Sequence, residues 1–396
     1  MSISKFSTVR SFAFLMLIAS CGTDEELQKE EPKSVLSDYF GDNIDFENLA
    51  NYANQEVPSY IRKDNTRGND ITDEGATLGR VLFYDKNLSI NNTIACASCH
   101  KQELAFGDDK LVSEGVNGVT GRHSMRLVNS RFADELKFFW DERASSLEDQ
   151  TTQPIQDHVE MGYSGNDGDP SIEDLIEKLE SIAYYPELFT KTFGDSSITE
   201  ARMQNALAQF VRSIQSFDSK YDQGRAIAAN DAQPFSNFTN EENMGKQLFL
   251  SPPQLDANGE RTGGGLACQG CHRAPEFDID PNSQNNGIIE VANSSELDLN
   301  VTRAPSLRDV VKADGTANGP FMHNGFSIDF DDVLTHYNAT ERGNNTNLDR
   351  RLAAPGTDDR YLNMTDEERA AVIAFMKTLA GNKIYSDEKW SDPFTH

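Results

Sequence analysis

Two short cysteine–histidine motifs are the residues in this chain whose types and spacing point most directly to chemistry. ACASCHKQELAF begins at Ala95 and ACQGCHRAPEF begins at Ala267, so each stretch contains Cys-x-x-Cys-His. The residues concerned are Cys96, Cys99, His100, Cys268, Cys271 and His272. The chain has five cysteines, and the fifth is Cys21 near the N-terminus. If Cys21 has its own role, no cysteine is left over for a structural disulfide.

Three chemistries use cysteines at this spacing, and they place different demands on the rest of the chain. A structural zinc site needs four ligands close in space, whereas these pairs lie 172 residues apart with a histidine beside each. A thioredoxin-like redox pair calls for a βαβ context and no adjacent histidine. Covalent haem c uses every residue of the motif, because two thioethers hold the porphyrin and the histidine binds iron. We therefore expect two haem c groups, with His100 and His272 as the proximal ligands.

An internal duplication indicates which elements position the two motifs. LGRVLF begins at Leu78 before the first motif, and MGKQLF begins at Met244 before the second. Each half ends in a pattern typical of an amphipathic helix, TEARMQNALAQFVRSIQSF and TDEERAAVIAFMKTL. Thr239 with Glu242, and Thr365 with Glu368, have the three-residue spacing of a capping box. In each half we expect a helix before the motif to pack against a helix at the domain end.

The predicted fold is therefore mainly α, with two tandem cytochrome c-like helical domains and long loops. We assign residues 71–235 to the first domain and residues 236–396 to the second. Residues 1–21 predict a lipoprotein signal peptide, because Lys5 and Arg10 precede a short apolar run that ends in a lipobox-like Ile-Ala-Ser-Cys. Cys21 would then be lipidated. Residues 22–70 would form a polar tether and an N-terminal segment, in the periplasm or cell envelope of a Gram-negative-type bacterium.

The net charge of −28 limits the partners that the surface can attract. Such a surface repels nucleic acid and anionic membranes, so contact with a membrane would come through the lipid anchor. The same charge would attract a basic protein. The hydrophobic share of 37% is low for a globular protein and agrees with extensive polar loops.

The order of several longer motifs resembles the dihaem cytochrome c peroxidase family, which includes the MauG-like proteins. The first half contains, in order, LGRVLFYDKNLS, CASCH, AFGDD, GRHSMRLVN, FFWDERASSLEDQ and HVEMG. The second half contains TRAPSLRDV and GPFMHNG. The resemblance covers about residues 72–379. It implies an oxidoreductase that reduces hydrogen peroxide to water at the first haem, with electrons relayed from the second.

The resemblance also assigns roles to individual residues. Trp140 matches the family's tryptophan between the haems, an electron relay, and a buried core position is compatible with that role. Gln150 and Glu160 match the peroxide-pocket glutamine and the acid/base glutamate. A carboxylate with a pKa raised by burial is suited to moving a proton between the two peroxide oxygens. The duplication puts His323 at the place equivalent to Trp140.

Three positions depart from the peroxidase pattern. Val116 stands where many members have a loop histidine that caps the first haem, so we expect that haem to be open, with His123 as an alternative ligand. Tyr337 stands where peroxidases usually have a methionine ligand to the second iron, and MauG-like members have tyrosine there. A buried, hydrogen-bonded Tyr337 or the neighbouring His336 are alternatives for that position. His123 replaces the asparagine of the family's calcium site.

Several questions stay open at this point. One Ca²⁺ held by the carbonyls of Asn318 and Pro320 is an alternative to no metal beyond iron, and a homodimer is an alternative to a monomer. The electron donor would be a small basic cytochrome c or cupredoxin. Besides a peroxidase, the resemblance allows a MauG-like oxidase that removes electrons from a protein or organic substrate. A plain dihaem electron carrier is a third alternative.

Overall fold

The structure, a computed structural model, describes residues 34–279, 281–292 and 294–395. The predicted signal peptide, the predicted lipidation site Cys21 and the first part of the predicted tether lie outside the described residues. Within the described ranges, no helix is both long enough and apolar enough to cross a membrane.

Helices make up most of the regular structure. The α-helices of the described chain are α1 Leu36–Phe40, α2 Asp73–Tyr84, α3 Cys96–Cys99, α4 Leu147–Thr152, α5 Ile172–Glu180, α6 Tyr184–Phe193, α7 Glu200–Ser213, α8 Lys220–Ile227, α9 Asn240–Leu250, α10 Phe330–Asn338 and α11 Asp366–Lys377. Short 3₁₀ turns occur at Gly41–Asn43, Lys86–Leu88, Gln102–Leu104, Cys268–Gly270, Arg350–Leu352, Lys383–Tyr385 and Glu388–Trp390. Long irregular segments connect these elements, as the sequence predicts.

The strands of the described chain are short and pair locally. They are β1 Pro253–Leu255, β2 Arg261–Gly264, β3 His272–Arg273, β4 Asp278–Ile279, β5 Ala339–Thr340 and β6 Arg360–Tyr361. They form antiparallel pairs β1–β2, β3–β4 and β5–β6. These pairs stiffen loops of the second half and do not build a sheet core.

The duplicated sequence forms the same helix crossing in both halves. In the first half α2 packs against α7, and a Cβ added to Gly79 would lie 2.0 Å from the carbonyl oxygen of Ala206 on α7. In the second half α9 packs against α11, and a Cβ added to Gly245 would lie 1.9 Å from the carbonyl oxygen of Ala371. The repeated glycine is thus required because the backbones touch at the crossing point.

The helix starts that the sequence predicts are formed. At α9, Thr239 accepts from the backbone N–H of Glu242, and the Glu242 carboxylate accepts in return from the backbone N–H of Thr239. Thr365 and Glu368 make the same reciprocal pair at α11. Each cap supplies partners for amide groups that the helix itself leaves unpaired. Both capping boxes are therefore confirmed.

The helix predicted over TEARMQNALAQFVRSIQSF is shorter than its pattern. α7 ends at Ser213, and Ile214 is already extended. The carbonyl of Ile214 accepts a hydrogen bond from the backbone N–H of Asn129, 3.0 Å away. This contact with a distant loop draws the chain out of the helix before Phe217.

Two apolar cores correspond to the two halves. The first gathers residues of α2, α5, α6 and α7, and the second gathers residues of α9, α10 and α11. Tyr221 of α8 and Phe235 also pack in the second core, although both precede residue 236. The C-terminal segment joins the first core, because Ile384 and Trp390 are buried there. The indole N–H of Trp390 donates to Ser213 at 3.3 Å, at the end of α7. The chain end therefore packs on the half that carries the first motif.

Candidate active site

The first motif lies on the wall of a cavity that also contains the predicted acid/base residues. The cavity, with its opening to solvent included, spans about 680 Å³ and is lined by Cys96, Cys99, His100, Gln150 and Glu160, among others. The structure therefore brings together, around one cavity, residues that are up to 64 positions apart in the chain.

His100 is held in a fixed orientation at the end of α3. Its Nδ1 lies 3.3 Å from the carbonyl oxygen of Phe106, which leaves Nε2 for a ligand. Burial lowers the pKa of His100 to about 4, so the ring is neutral at pH 7. A neutral imidazole with one nitrogen anchored to a carbonyl is the usual form of a metal-binding histidine.

Glu160 is positioned by its backbone, while its carboxylate lies on the cavity wall. The backbone N–H of Glu160 donates to Asp157 at 3.0 Å, and its carbonyl accepts from the backbone N–H of Val116 at 3.0 Å. Within the described residues, no hydrogen bond reaches the Glu160 carboxylate. Burial, followed by the charge of Asp157, raises the pKa of Glu160 to about 7. This carboxyl can therefore both accept and release a proton near neutral pH.

Gln150 reaches the same cavity from α4. Ser146 caps this helix by accepting from the backbone N–H of Asp149 at 3.1 Å, and α4 packs against α7. Glu114, an exposed carboxylate on the same wall, was not predicted. It lies in the SEGVNGVTG loop, where the resemblance concerns a haem-capping histidine and not an acid.

The SEGVNGVTG loop packs against the segment that carries Glu160. The backbone N–H of Asn117 donates to the carbonyl of Val159 at 3.1 Å, next to the Val116 contact. Val116 is not among the residues that line the cavity. Nor is the alternative ligand His123, whose Nδ1 lies 2.8 Å from the carbonyl oxygen of Lys110. The geometry therefore brings neither residue into a capping position.

The second motif lies on a larger and more apolar cavity. It encloses about 1270 Å³ up to its open mouth, and its wall includes Cys268, Cys271, His272, Trp140 and Tyr337. Nδ1 of His272 lies 3.0 Å from the carbonyl oxygen of Pro305, and burial lowers the pKa of His272 to about 4. The anchoring of the histidine thus repeats that of the first half.

Arg303, from the TRAPSLRDV motif, supplies a further observation about the second cavity. Its Nε and Nη2 atoms are buried and have no hydrogen-bond partner among the described residues. Nη1 contacts only the sulfur of Met125, at 3.7 Å. Buried guanidinium nitrogens without an acceptor are costly, so an anionic group such as a porphyrin carboxylate would satisfy them. The role of Arg303 was not predicted, although its motif was quoted for the resemblance.

Tyr337 reaches the second cavity from the last turn of α10. Burial is the largest cause of a pKa well above the usual range for Tyr337, and the side chain of Asn286 opposes that rise by hydrogen bonding. His336, the alternative ligand, does not line the cavity, and its Nε2 lies 2.9 Å from the carbonyl oxygen of Asn286. Of the two neighbours, the structure brings Tyr337 to the cavity.

Trp140 and His323 lie side by side between the two halves. Their ring centroids are 6.3 Å apart, and the indole N–H of Trp140 donates to the carbonyl of His123 at 2.6 Å. The residues before them, Phe139 and Met322, have φ of 68° and 66°, which non-glycine residues rarely adopt. This shared turn supports the predicted equivalence of Trp140 and His323. Trp140 also lines the second cavity, and Ser124, next to His123, lines the first.

These observations decide between the chemistries that the cysteine motifs allow. The two cysteine pairs line separate cavities, and no group of three metal-binding side chains converges within the described residues. None of the four motif cysteines is in a disulfide. A cysteine pair, an anchored neutral histidine and an apolar cavity fit a covalently attached haem in each half.

The predicted calcium position is partly taken by a cation of the protein itself. The guanidinium of Arg126 donates to the carbonyl of Asn318, one of the two predicted calcium ligands, and to the carbonyl of Leu104. The positive charge of Arg126 would repel Ca²⁺ at this carbonyl. These contacts do not fit the predicted calcium site, and we derive no step through calcium.

Comparisons with known proteins also point to proteins with two haem groups. The model of the di-haem cytochrome c peroxidase family matches residues 73–230. The methylamine utilization protein MauG of Methylophilus methylotrophus is 28% identical, over 80% of this chain and 85% of that protein. The cytochrome c551 peroxidase of Nitrosomonas europaea is 27% identical, over 78% of this chain and 80% of that protein. Both relatives extend the match into the second half.

Solved structures show the same fold. A MauG-like protein associated with microbial copper homeostasis superposes with a TM-score of 0.66 at 24% identity, covering 86% of this chain and 99% of that one. A variant of the dihaem peroxidase BthA from Burkholderia thailandensis gives 0.57 at 22% identity, covering 84% and 90%. The prediction of a mainly α fold with cytochrome c-like helical domains is confirmed. Motif order, fold and similarity thus support a place for this chain beside the di-haem cytochrome c peroxidases, which include the MauG-like proteins, and the family model itself matches residues 73–230.

Proposed function

We propose that this oxidoreductase reduces hydrogen peroxide to water in the first cavity, with electrons delivered through the second. The observation that carries the proposal is that Glu160 and Gln150 lie on the wall of the cavity that holds Cys96, Cys99 and His100. A plain electron carrier needs no proton-transfer group beside its cofactor. When bound, haem would supply the redox-active iron that accepts peroxide and changes its oxidation state.

The protein's own contribution is the movement of a proton. With a pKa of about 7, Glu160 can take a proton from one peroxide oxygen and return it to the other. The amide of Gln150 can hold peroxide or a water by hydrogen bonding. Two electrons and two protons convert one hydrogen peroxide into two waters, so the reaction needs an external reductant.

Trp140 would relay electrons between the cavities. Its indole lines the second cavity, and its N–H bonds to His123, whose neighbour Ser124 lines the first. This continuous contact through packed groups supports the role implied by the resemblance. The reductant would be a small basic cytochrome c or cupredoxin, drawn by the net charge of −28.

A MauG-like oxidase is the second candidate, and Tyr337 on the second cavity is the observation that favours it. An oxygen ligand stabilises ferric and higher oxidation states of haem iron. Such an enzyme would reduce peroxide with two electrons taken from a protein or organic substrate, in place of a separate electron-donor protein.

The two candidates can be separated by stoichiometry. The holoprotein is mixed with hydrogen peroxide and a reduced basic cytochrome c, and both are followed with time. A peroxidase oxidises two equivalents of donor for each peroxide, over many turnovers. Donor oxidation that stops after the first turnover, with long-lived oxidised protein, would contradict a peroxidase and favour the oxidase.

A further inference from the structure

Two neighbouring loops expose an unusual group of large apolar side chains. Leu111 is 54% exposed, Phe326 50% and Ile328 70%. We call these three residues the apolar patch. The loops touch, since a Cβ added to Gly325 would lie 2.6 Å from the carbonyl oxygen of Leu111. Leu111 belongs to the first half and the other two to the second, so the patch spans both halves.

The local backbone explains why Phe326 and Ile328 point outward together. Ser327, between them, is paired with Phe321 in an isolated β-bridge and is buried. Alternate side chains of an extended segment lie on the same side. Because Ser327 faces inward, its two apolar neighbours face solvent. Single exposed apolar residues need no explanation, but a cluster of this kind marks an interaction surface.

The charges around the apolar patch limit which kind of protein can bind there. Asp109, Asp329 and Asp332 are exposed beside it. Lys110 is exposed with them, and Lys101 pairs with Asp109 and with the buried Asp108. The surrounding charge is therefore negative, as it is for the whole chain. A partner with an apolar centre and a basic rim would complement both features.

A chain of aromatic rings connects the apolar patch with the second cavity. The rings of Phe326 and His336 have centroids 6.3 Å apart, and those of His336 and Tyr337 are 4.8 Å apart. His336 is fixed by its contact with the Asn286 carbonyl, and Tyr337 lines the cavity. Electron tunnelling falls steeply with distance, so a partner at Phe326 would be well coupled to this cavity.

We propose that the apolar patch is the docking surface for a basic electron-donor protein that presents its cofactor edge within an apolar surface. The proposal deepens the proposed function and rests on it for the direction of electron flow. Each docking event passes one electron from the reduced donor into the second cavity. Two such events, with two protons from solvent, balance the reduction of one hydrogen peroxide to two waters.

Binding between two oxidised proteins tests the docking surface without any turnover. The oxidised holoprotein is titrated calorimetrically, at low ionic strength, with an oxidised monohaem cytochrome c of net positive charge. The double variant Phe326→Ser with Ile328→Ser is expected to raise the Kd about tenfold or more. Neutral serine is chosen because an added acid would itself attract the basic probe. Ile227→Ser, at an equally exposed isoleucine at the end of α8, is the matched control and should change the Kd less than twofold.

Three results would overturn the proposal. The double variant could bind as tightly as the unchanged protein, or the unchanged protein could fail to bind the probe at low ionic strength. Sedimentation could also show a dimer that the double variant dissociates, which would mean that a second copy covers the patch. Peroxide turnover with a small-molecule reductant is measured separately, so a failed docking surface and a failed proposed function give different results.

Discussion

The two halves of the molecule share a frame, meaning the helix crossing and the anchored histidine, but they differ in the side chains that line their cavities. Both cross two helices at a glycine, and both anchor the motif histidine to a backbone carbonyl. The first cavity adds Glu160 and Gln150, whereas the second adds Tyr337 and Arg303. Duplication thus fixes where a cofactor is held, and a few side chains on the walls determine what it does. In the proposed function, the first half would transfer protons and the second would store and pass electrons.

The largest effect is expected when the proposed proton-transfer group of the first cavity, Glu160, is removed. Glu160→Gln keeps the size and polarity of the side chain but cannot exchange a proton, so the peroxide reaction should slow by about 10²–10⁴-fold. Stopped-flow mixing with peroxide measures the rate. Glu114→Gln, which removes the other carboxylate on this wall, should cost less than tenfold. Equal losses in the two variants would show that general negative charge, and not Glu160, supports the reaction.

Tyr337→Phe tests the second cavity in the same way. If Tyr337 is the iron ligand that the resemblance implies, loss of its phenolic oxygen should raise the potential of the second haem by a sizeable part of the roughly 0.8 V range that axial ligands span. Potentiometric titration with optical detection measures the change. The first haem should keep its spectrum. An unchanged second potential would mean that Tyr337 is a buried hydrogen-bonding residue and not a ligand.

The raised pKa of Glu160 predicts a pH dependence of stability opposite in sign to that of the two motif histidines, whose pKa burial lowers to about 4. An ordinary glutamate in the unfolded chain ionises near 4.5, whereas Glu160 in the fold ionises near 7. At this group the folded protein therefore binds more protons between these values, and the contribution of Glu160 to stability falls as pH rises through that window, by on the order of 3 kcal/mol. The peroxide reaction should accelerate over the upper part of the same window, because the carboxylate form accepts the proton.

Glu160→Gln is the control for both effects. The variant should gain stability relative to the unchanged protein on going from pH 5 to pH 8, as measured by thermal unfolding at each pH. Its residual peroxide rate should show no rise near pH 7. If both proteins respond to pH identically, the carboxyl of Glu160 does not ionise near neutrality.

The shared frame can be tested at the two glycines. Gly79→Ala and Gly245→Ala each force a methyl group against a backbone carbonyl of the crossing helix, so each should destabilise the protein by about 1–3 kcal/mol. Thermal unfolding measures both variants beside Gly121→Ala, where an added Cβ meets nothing within 4 Å. A large effect at one glycine and none at the other would contradict the equivalence of the two crossings.

The smallest expected effect concerns metal removal. Because Arg126 donates to the Asn318 carbonyl, a chelator of divalent cations should shift the melting temperature and the turnover rate by no more than the experimental error. A marked loss after chelation, restored by Ca²⁺, would show that the cation site exists despite this contact.

Local sequence patterns were sufficient to predict much of the frame that the two halves share. The motifs, the capping boxes and the repeated glycine act within a few residues or repeat in register, so they could be recognised directly. Contacts between distant segments could not. Trp390 packs against α7, Arg126 reaches Asn318, and Arg303 lines the second cavity with two nitrogens unpaired among the described residues. None of these contacts leaves a periodic or spaced pattern in the sequence.

The residues of the site also divide into some that were predicted and some that were missed. Glu160, Gln150 and Tyr337 were predicted from resemblance by their distance from known motifs, and the structure brings each of them to a cavity wall. Their roles stay predictions. Glu114 and the apolar patch were missed because exposure depends on how loops pack, and residue type alone does not reveal it.

The most direct test of the central claim is an electronic and EPR spectrum of the fully oxidised holoprotein, recorded before and after one equivalent of hydrogen peroxide. The account predicts a high-spin ferric signal from the first haem that disappears at once on adding peroxide, beside a low-spin signal from the haem opposite Tyr337. Two low-spin haems that ignore peroxide until the protein is reduced would contradict it. In that case a side chain caps the first iron, and the difference between the two cavities has been misread.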